Sequence, residues 1–185
     1  MQKLTLIKNR KAKGFSLLEI ILVLAVAAGF IIGVFMLLSK TQAGSRADTE
    51  SKNLSTIVAG VKSLYTSSST YTGLTNTVAA NAKIFPDTML NGSSVDPLNA
   101  WKGTVTLAAA ATGPSATAGS SFTITDTAVP ANECTKIVSG MAGSFYIVQV
   151  GSTVVKPAGG VVDIPSATTA CNAGGNSNTL VFTSI

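Results

Sequence analysis

The chain has 185 residues, with 13 Lys+Arg against 8 Asp+Glu, two Cys, no His, and a composition that is 46% hydrophobic and only 11% charged. That length suits one domain with an appendage. Without His there is no Ser-His or Cys-His catalysis and no His-ligated metal, and two Cys are too few for a Cys-only zinc site or an iron-sulfur cluster.

The net charge of +5 is concentrated at the start of the chain. Lys3, Lys8, Arg10, Lys11 and Lys13 fall within residues 1–14, which hold no acid, and the remainder is balanced at eight basic and eight acidic residues. The basicity thus belongs to a leader, whereas a nucleic-acid surface needs basic residues clustered on the folded body. Residues 15–38 follow as FSLLEIILVLAVAAGFIIGVFMLL, apolar except for Ser16 and Glu19. As a helix, the uncharged stretch from Ile20 to Leu38 reaches roughly 29 Å, the thickness of a bilayer's hydrocarbon core. The basic leader predicts a cytoplasmic N-terminus and a body on the far side of the membrane. The competing reading is a secretory signal cut after Ala25-Val26-Ala27. Against it, the apolar run continues well past that point and Glu19 would sit inside the signal's apolar region.

Lys13-Gly14-Phe15-Ser16-Leu17-Leu18-Glu19 followed by a long apolar helix resembles the class III signal of type IV pilins. The resemblance implies that a membrane peptidase and methyltransferase cuts between Gly14 and Phe15, methylates the new terminus at Phe15, and leaves the apolar helix attached. Glu19 becomes the fifth residue of the mature chain. An intramembrane carboxylate is costly unless paired, so it marks a functional site. In the family its partner is the terminal amine of a neighbouring subunit, here that of Phe15, a pairing that would set axial register during assembly. A Glu snorkelling to the interface is the alternative. Ala25, Gly29 and Gly33 form a small-residue stripe that would let helices approach closely, although glycine is also common in membrane helices generally.

Beyond the span, Leu54, Ile57, Val58, Val61, Leu64 and Tyr65 recur at helical spacing, with Arg46, Asp48, Glu50, Lys52 and Lys62 read as the polar side. No Pro occurs before Pro86, so the sequence predicts one helix from Phe15 to about Tyr65, its amphipathic part covering 39–65. Residues 66–185 read as a globular head. Ser67-Ser68-Ser69-Thr70 is a loop, and Asn91-Gly92-Ser93-Ser94 and Thr112-Gly113-Pro114-Ser115 are turns. Strands are predicted at 104–109, 121–127, 144–150 and 178–184, with a short helix after Pro130 that ends near Gly143. The fold class is α+β: a pilin fold with a largely antiparallel sheet packed on the long helix.

Cys134 and Cys171 lie where export lets disulfides persist, and a bond between them would stabilise the head by about 3 to 4 kcal/mol. Pilins close a C-terminal D-region in this way, which here implies 134–171. Cys134 opening a helix, the Phe145-Tyr146 strand, the Asn99-Ala100-Trp101 turn and the terminal strand after Cys171 resemble the type IVb subclass. Asp126 and Asp163 read as turn or edge residues rather than as half of a carboxylate pair. No phosphate loop or hydrolase motif occurs in the sequence.

Taken together these features imply a structural subunit with no enzymatic activity, cofactor or metal. The expected protein is a major pilin, held in the inner membrane as a precursor and then built into an extracellular fibre for adhesion, aggregation or conjugative mating. Expected partners are further copies of the chain, the peptidase and methyltransferase, the inner-membrane assembly machinery, an outer-membrane secretin, and lipid before assembly; no nucleic acid is expected. A minor pilin or a type II secretion pseudopilin shares the same N-terminal signal and is the alternative.

Overall fold

The computed structural model describes residues 16–90, 92 and 95–185, with side chains of 35–40 excepted. The leader, Phe15 and most of the Asn91–Ser94 turn lie outside the described residues. One helix, α1 (Leu17–Leu64), runs through the region expected to be helical. The chain divides into two units, Met1–Lys40 and Thr41–Ile185, so α1 contributes to both.

In the first unit α1 carries Leu17–Val34, an 18-residue segment long and apolar enough to cross a membrane, with none of it buried. In the second unit its apolar stripe is buried: Ala47, Leu54, Ile57 and Val61 join the core, while Leu64, expected on that stripe, is largely exposed. Gly60 sits mid-helix where a Cβ would come within 2.8 Å of Ile84, so the missing side chain lets the 84–85 segment close over the helix.

The sheet has five antiparallel strands in the order β1 (Val105–Ala110), β2 (Ser121–Val129), β5 (Asn178–Ser184), β3 (Ile147–Val150) and β4 (Thr153–Lys156). Strand alternation fixes which side chains meet the core. Leu107 pairs with Ile124, Ile124 with Phe182, and Phe182 with Val148, which makes one continuous buried row across four strands. A short helix, α2 (Asn76–Asn81), is capped by the Thr75 hydroxyl. Asn76 then acts as a surrogate strand on the β1 edge, donating to the Val105 carbonyl at 3.0 Å and accepting from the Leu107 N–H at 2.7 Å.

Two further helices, α3 (Ala131–Met141) and α4 (Ile164–Ala173), are joined by the Cys134–Cys171 disulfide, whose Cα atoms lie 5.8 Å apart. The expected strand at 144–150 is shorter than the sequence suggests: a 3-10 turn occupies Ala142–Ser144 and pairing begins at Ile147. Strand β4 and helices α2 and α4 are unanticipated. The first two are too short for a periodic signal, and α4 is small and hydroxylated, its start set by Asp163 capping Ser166.

Candidate functional site

Three features carry the chemistry of the chain. The first is the apolar half of α1. Glu19 lies in its first turn, exposed, and its side chain has no partner among the described residues. The backbone N–H groups of Glu19 and Ile20 both donate to the Ser16 carbonyl, so the turn is already closed at the carboxylate. Open space surrounds Gly29 and Gly33, and with Val26, Phe30 and Val34 they form a shallow apolar notch on one face of the helix.

The second feature is the disulfide, which ties α3 to α4 across the segment holding β3 and β4. Asp163 caps α4, accepting from the Ser166 N–H and hydroxyl, and these hydrogen bonds hold its carboxyl below the usual range. The third is a buried polar joint between α1 and the sheet. Glu50 and Asp126 are both 0% exposed. Glu50 Oε2 accepts from the Ala100 N–H at 3.3 Å, while Asp126 Oδ1 accepts from Asn99 Nδ2. Asn99 Oδ1 in turn accepts from the N–H groups of Trp101 and Gly103. Among the described residues, Glu50 Oε1, Asp126 Oδ2 and Trp101 Nε1 are buried without a hydrogen-bond partner. Burial pushes the Asp126 carboxyl up to about 8, the neighbouring Glu50 charge adds to the rise, and the Asn99 bond opposes it. Glu50 is raised as well, chiefly by burial, against the bonds from Ala100 and Asn53. Among the described residues no group of three or more His, Cys, Asp or Glu is placed to hold a metal.

Comparison with known proteins now decides the family. The PilS N-terminal family model matches residues 44–185, well over half of the chain. The chain belongs to the PilS family of type IV pilins. Two solved structures share its fold. The type IVb pilin from Salmonella typhi is 21% identical with a TM-score of 0.58, over 73% of this chain and 97% of that one. TcpA, a type IV pilin from Vibrio cholerae El Tor, is 11% identical with a TM-score of 0.56, over 76% and 99% respectively. No curated protein sequence matches the chain.

The family match begins at residue 44, so it is independent of the Lys13–Glu19 motif that carries the resemblance in the sequence. Of the expected site residues of this pilin, Cys134 and Cys171 are joined. Glu19, Ala25, Gly29 and Gly33 lie on the exposed apolar part of α1, and Gly14 and Phe15 lie outside the described residues. Two expectations are corrected. Asp126 is no turn or edge residue: it stands on β2, between β1 and β5, at the heart of the polar joint. Nor is Glu50 on the polar side of α1. Both were legible from periodicity, because Glu50 precedes Leu54, Ile57 and Val61 by four, seven and eleven positions on one helix face, and Asp126 continues the inward alternation of Phe122 and Ile124.

Proposed function

We propose that this pilin is the major subunit of an extracellular type IV pilus, which serves adhesion, aggregation or conjugative mating and is built through the apolar half of α1. The observation that carries the reading is Glu19: a carboxylate with no partner among the described residues, in the first turn of the exposed apolar part of α1. A solitary charge on such a surface is stable in lipid or in a fibre core only when another chain supplies its counter-charge. Cleavage between Gly14 and Phe15 would create that counter-charge as a terminal amine, methylated at Phe15, on the neighbouring copy. The open notch at Gly29 and Gly33 suits close approach of a second helix, with Ala25 extending it towards the N-terminus. The precursor would rest in the inner membrane with its head, bounded near residue 66 and closed by the 134–171 D-region, in the periplasm. At the inner membrane it would meet the peptidase and methyltransferase, cutting on the cytoplasmic side, and the assembly machinery, and the fibre would leave through an outer-membrane secretin.

The test replaces Glu19 with Ala and with Gln in cells that have no other source of the subunit. Leaving the buried amine unpaired costs about 3 to 5 kcal/mol, so each addition step weakens by about a hundredfold or more. Filaments should disappear from the sheared fraction while N-terminal sequencing still finds Phe15. Normal filament yield from both variants, or a mature terminus at Ala28, overturns the proposal. A subunit scarce in an otherwise normal fibre fraction would assign it as a minor pilin or pseudopilin.

A further inference from the structure

The turn at 99–103 bridges α1 and the sheet. It is closed on itself: the Asn99 N–H donates to the Gly103 carbonyl at 2.9 Å, the Lys102 N–H donates to the Asn99 carbonyl at 3.1 Å, and Asn99 Oδ1 accepts from the Trp101 and Gly103 N–H groups. Its hold on the sheet is double, since Asn99 Nδ2 donates to both Asp126 Oδ1 and the Thr127 carbonyl. Among the described residues its hydrogen bond to α1 is single, from the Ala100 N–H to Glu50 Oε2 at 3.3 Å. Ala100 is itself exposed and Trp101 half-buried, so solvent stands directly outside the joint.

Inside it stand two acids. The strands paired with β2, β1 and β5, carry no ionisable side chain. From α1 comes Glu50, while Arg46, Asp48 and Lys52 of that helix and Lys102 of the turn are exposed. The charge acting on Asp126 is therefore a like charge, that of Glu50. One oxygen of each carboxyl has a donor, and among the described residues the other has none. Two ionised carboxylates here would both be desolvated and would repel, whereas a proton on one leaves a single charge. We propose that the joint is a proton-dependent latch: a protonated Asp126 keeps the turn closed on Glu50, and loss of that proton releases the Ala100 N–H from α1 and admits water to both carboxylates. The Ala100 contact is the one that gives way, because ionisation strengthens the Asn99–Asp126 bond while it drives the two carboxylates apart. The Asp126 carboxyl, raised to about 8 in the closed joint, returns towards its ordinary 3.8 once hydrated. Closure is thus strongest below about pH 4 and weakens as the pH rises to about 8.

Amide exchange of the full chain in neutral detergent, resolved by NMR as protection factors at pH 5, 6 and 7, tests the latch. Protection of the Ala100 N–H should fall about tenfold per pH unit, as linkage to one proton requires. At pH 7 it should be at least tenfold lower than protection of the β2 and β5 amides, because the joint opens while the sheet stays folded. Asp126→Asn keeps an acceptor for Asn99 and should hold Ala100 protection constant across the range. Glu50→Gln, which removes the like charge, should make the fall smaller, and it serves if the first variant does not fold. Ala100 protection that is independent of pH, or that falls as steeply in Asp126→Asn as in the wild type, overturns the proposal. So does Ala100 protection equal to that of the sheet amides at every pH, which would mean that the joint opens only when the head unfolds.

Discussion

The buried Glu50–Asp126 pair should make the head more stable in mild acid than at alkaline pH. The Asp126 carboxyl is raised from an ordinary 3.8 to about 8, mainly by burial and secondarily by the Glu50 charge. In the native state it keeps its proton across a range where the unfolded chain has lost it. Its stabilisation is therefore fully present below about pH 4 and is lost as the pH rises through about 8. That interval spans roughly four pH units at about 1.4 kcal/mol each, on the order of 5 kcal/mol. Glu50 is shifted in the same direction and steepens the same slope. Asp126→Asn keeps an acceptor for Asn99 and removes the titration. The variant should match the wild type within about 1 kcal/mol near pH 4, yet exceed it by several kcal/mol near pH 8. Urea unfolding between pH 4 and 9 provides the assay, read by the fluorescence of Trp101, which lies in the same joint. Wild-type stability that rises over this range, or an unchanged slope in Asp126→Asn, would refute the reasoning. Glu50→Gln, which should also flatten the slope, covers the case in which the first variant does not fold.

The same joint predicts a steric effect at Gly103, where a Cβ would lie 1.9 Å from the Thr127 carbonyl oxygen, a main-chain atom with no room to retreat. Gly103→Ala should cost about 3 kcal/mol or more and displace the Asn99 loop, measurable as a lower urea midpoint and altered Trp101 emission. Cys171→Ser should lower stability by about 3 to 4 kcal/mol and expose the head to protease. Protease resistance equal to the wild type would show that packing of α3 on α4 suffices without the bond.

Much of this pilin is written in local pattern. The apolar span and the strand at 178–184 follow from composition and period, because each is decided by neighbours in the chain, and the Cys pair follows from there being only two Cys. The buried stripe of α1 is also legible, and Glu50 belongs to it by helical phase although its charge alone suggests the polar side. Only the tertiary structure brings Glu50 on α1 beside Asp126 on β2, with Asn99 and Ala100 between them. Desolvation and charge repulsion arise from three-dimensional proximity, which no residue's own neighbourhood encodes. Helix α4 and strand β4 are decided in the same way. The residues of α4 have weak helix preference, and β4, although β-branched, is only four residues long, so it is the disulfide, the Asp163 cap and pairing with β3 that make them regular.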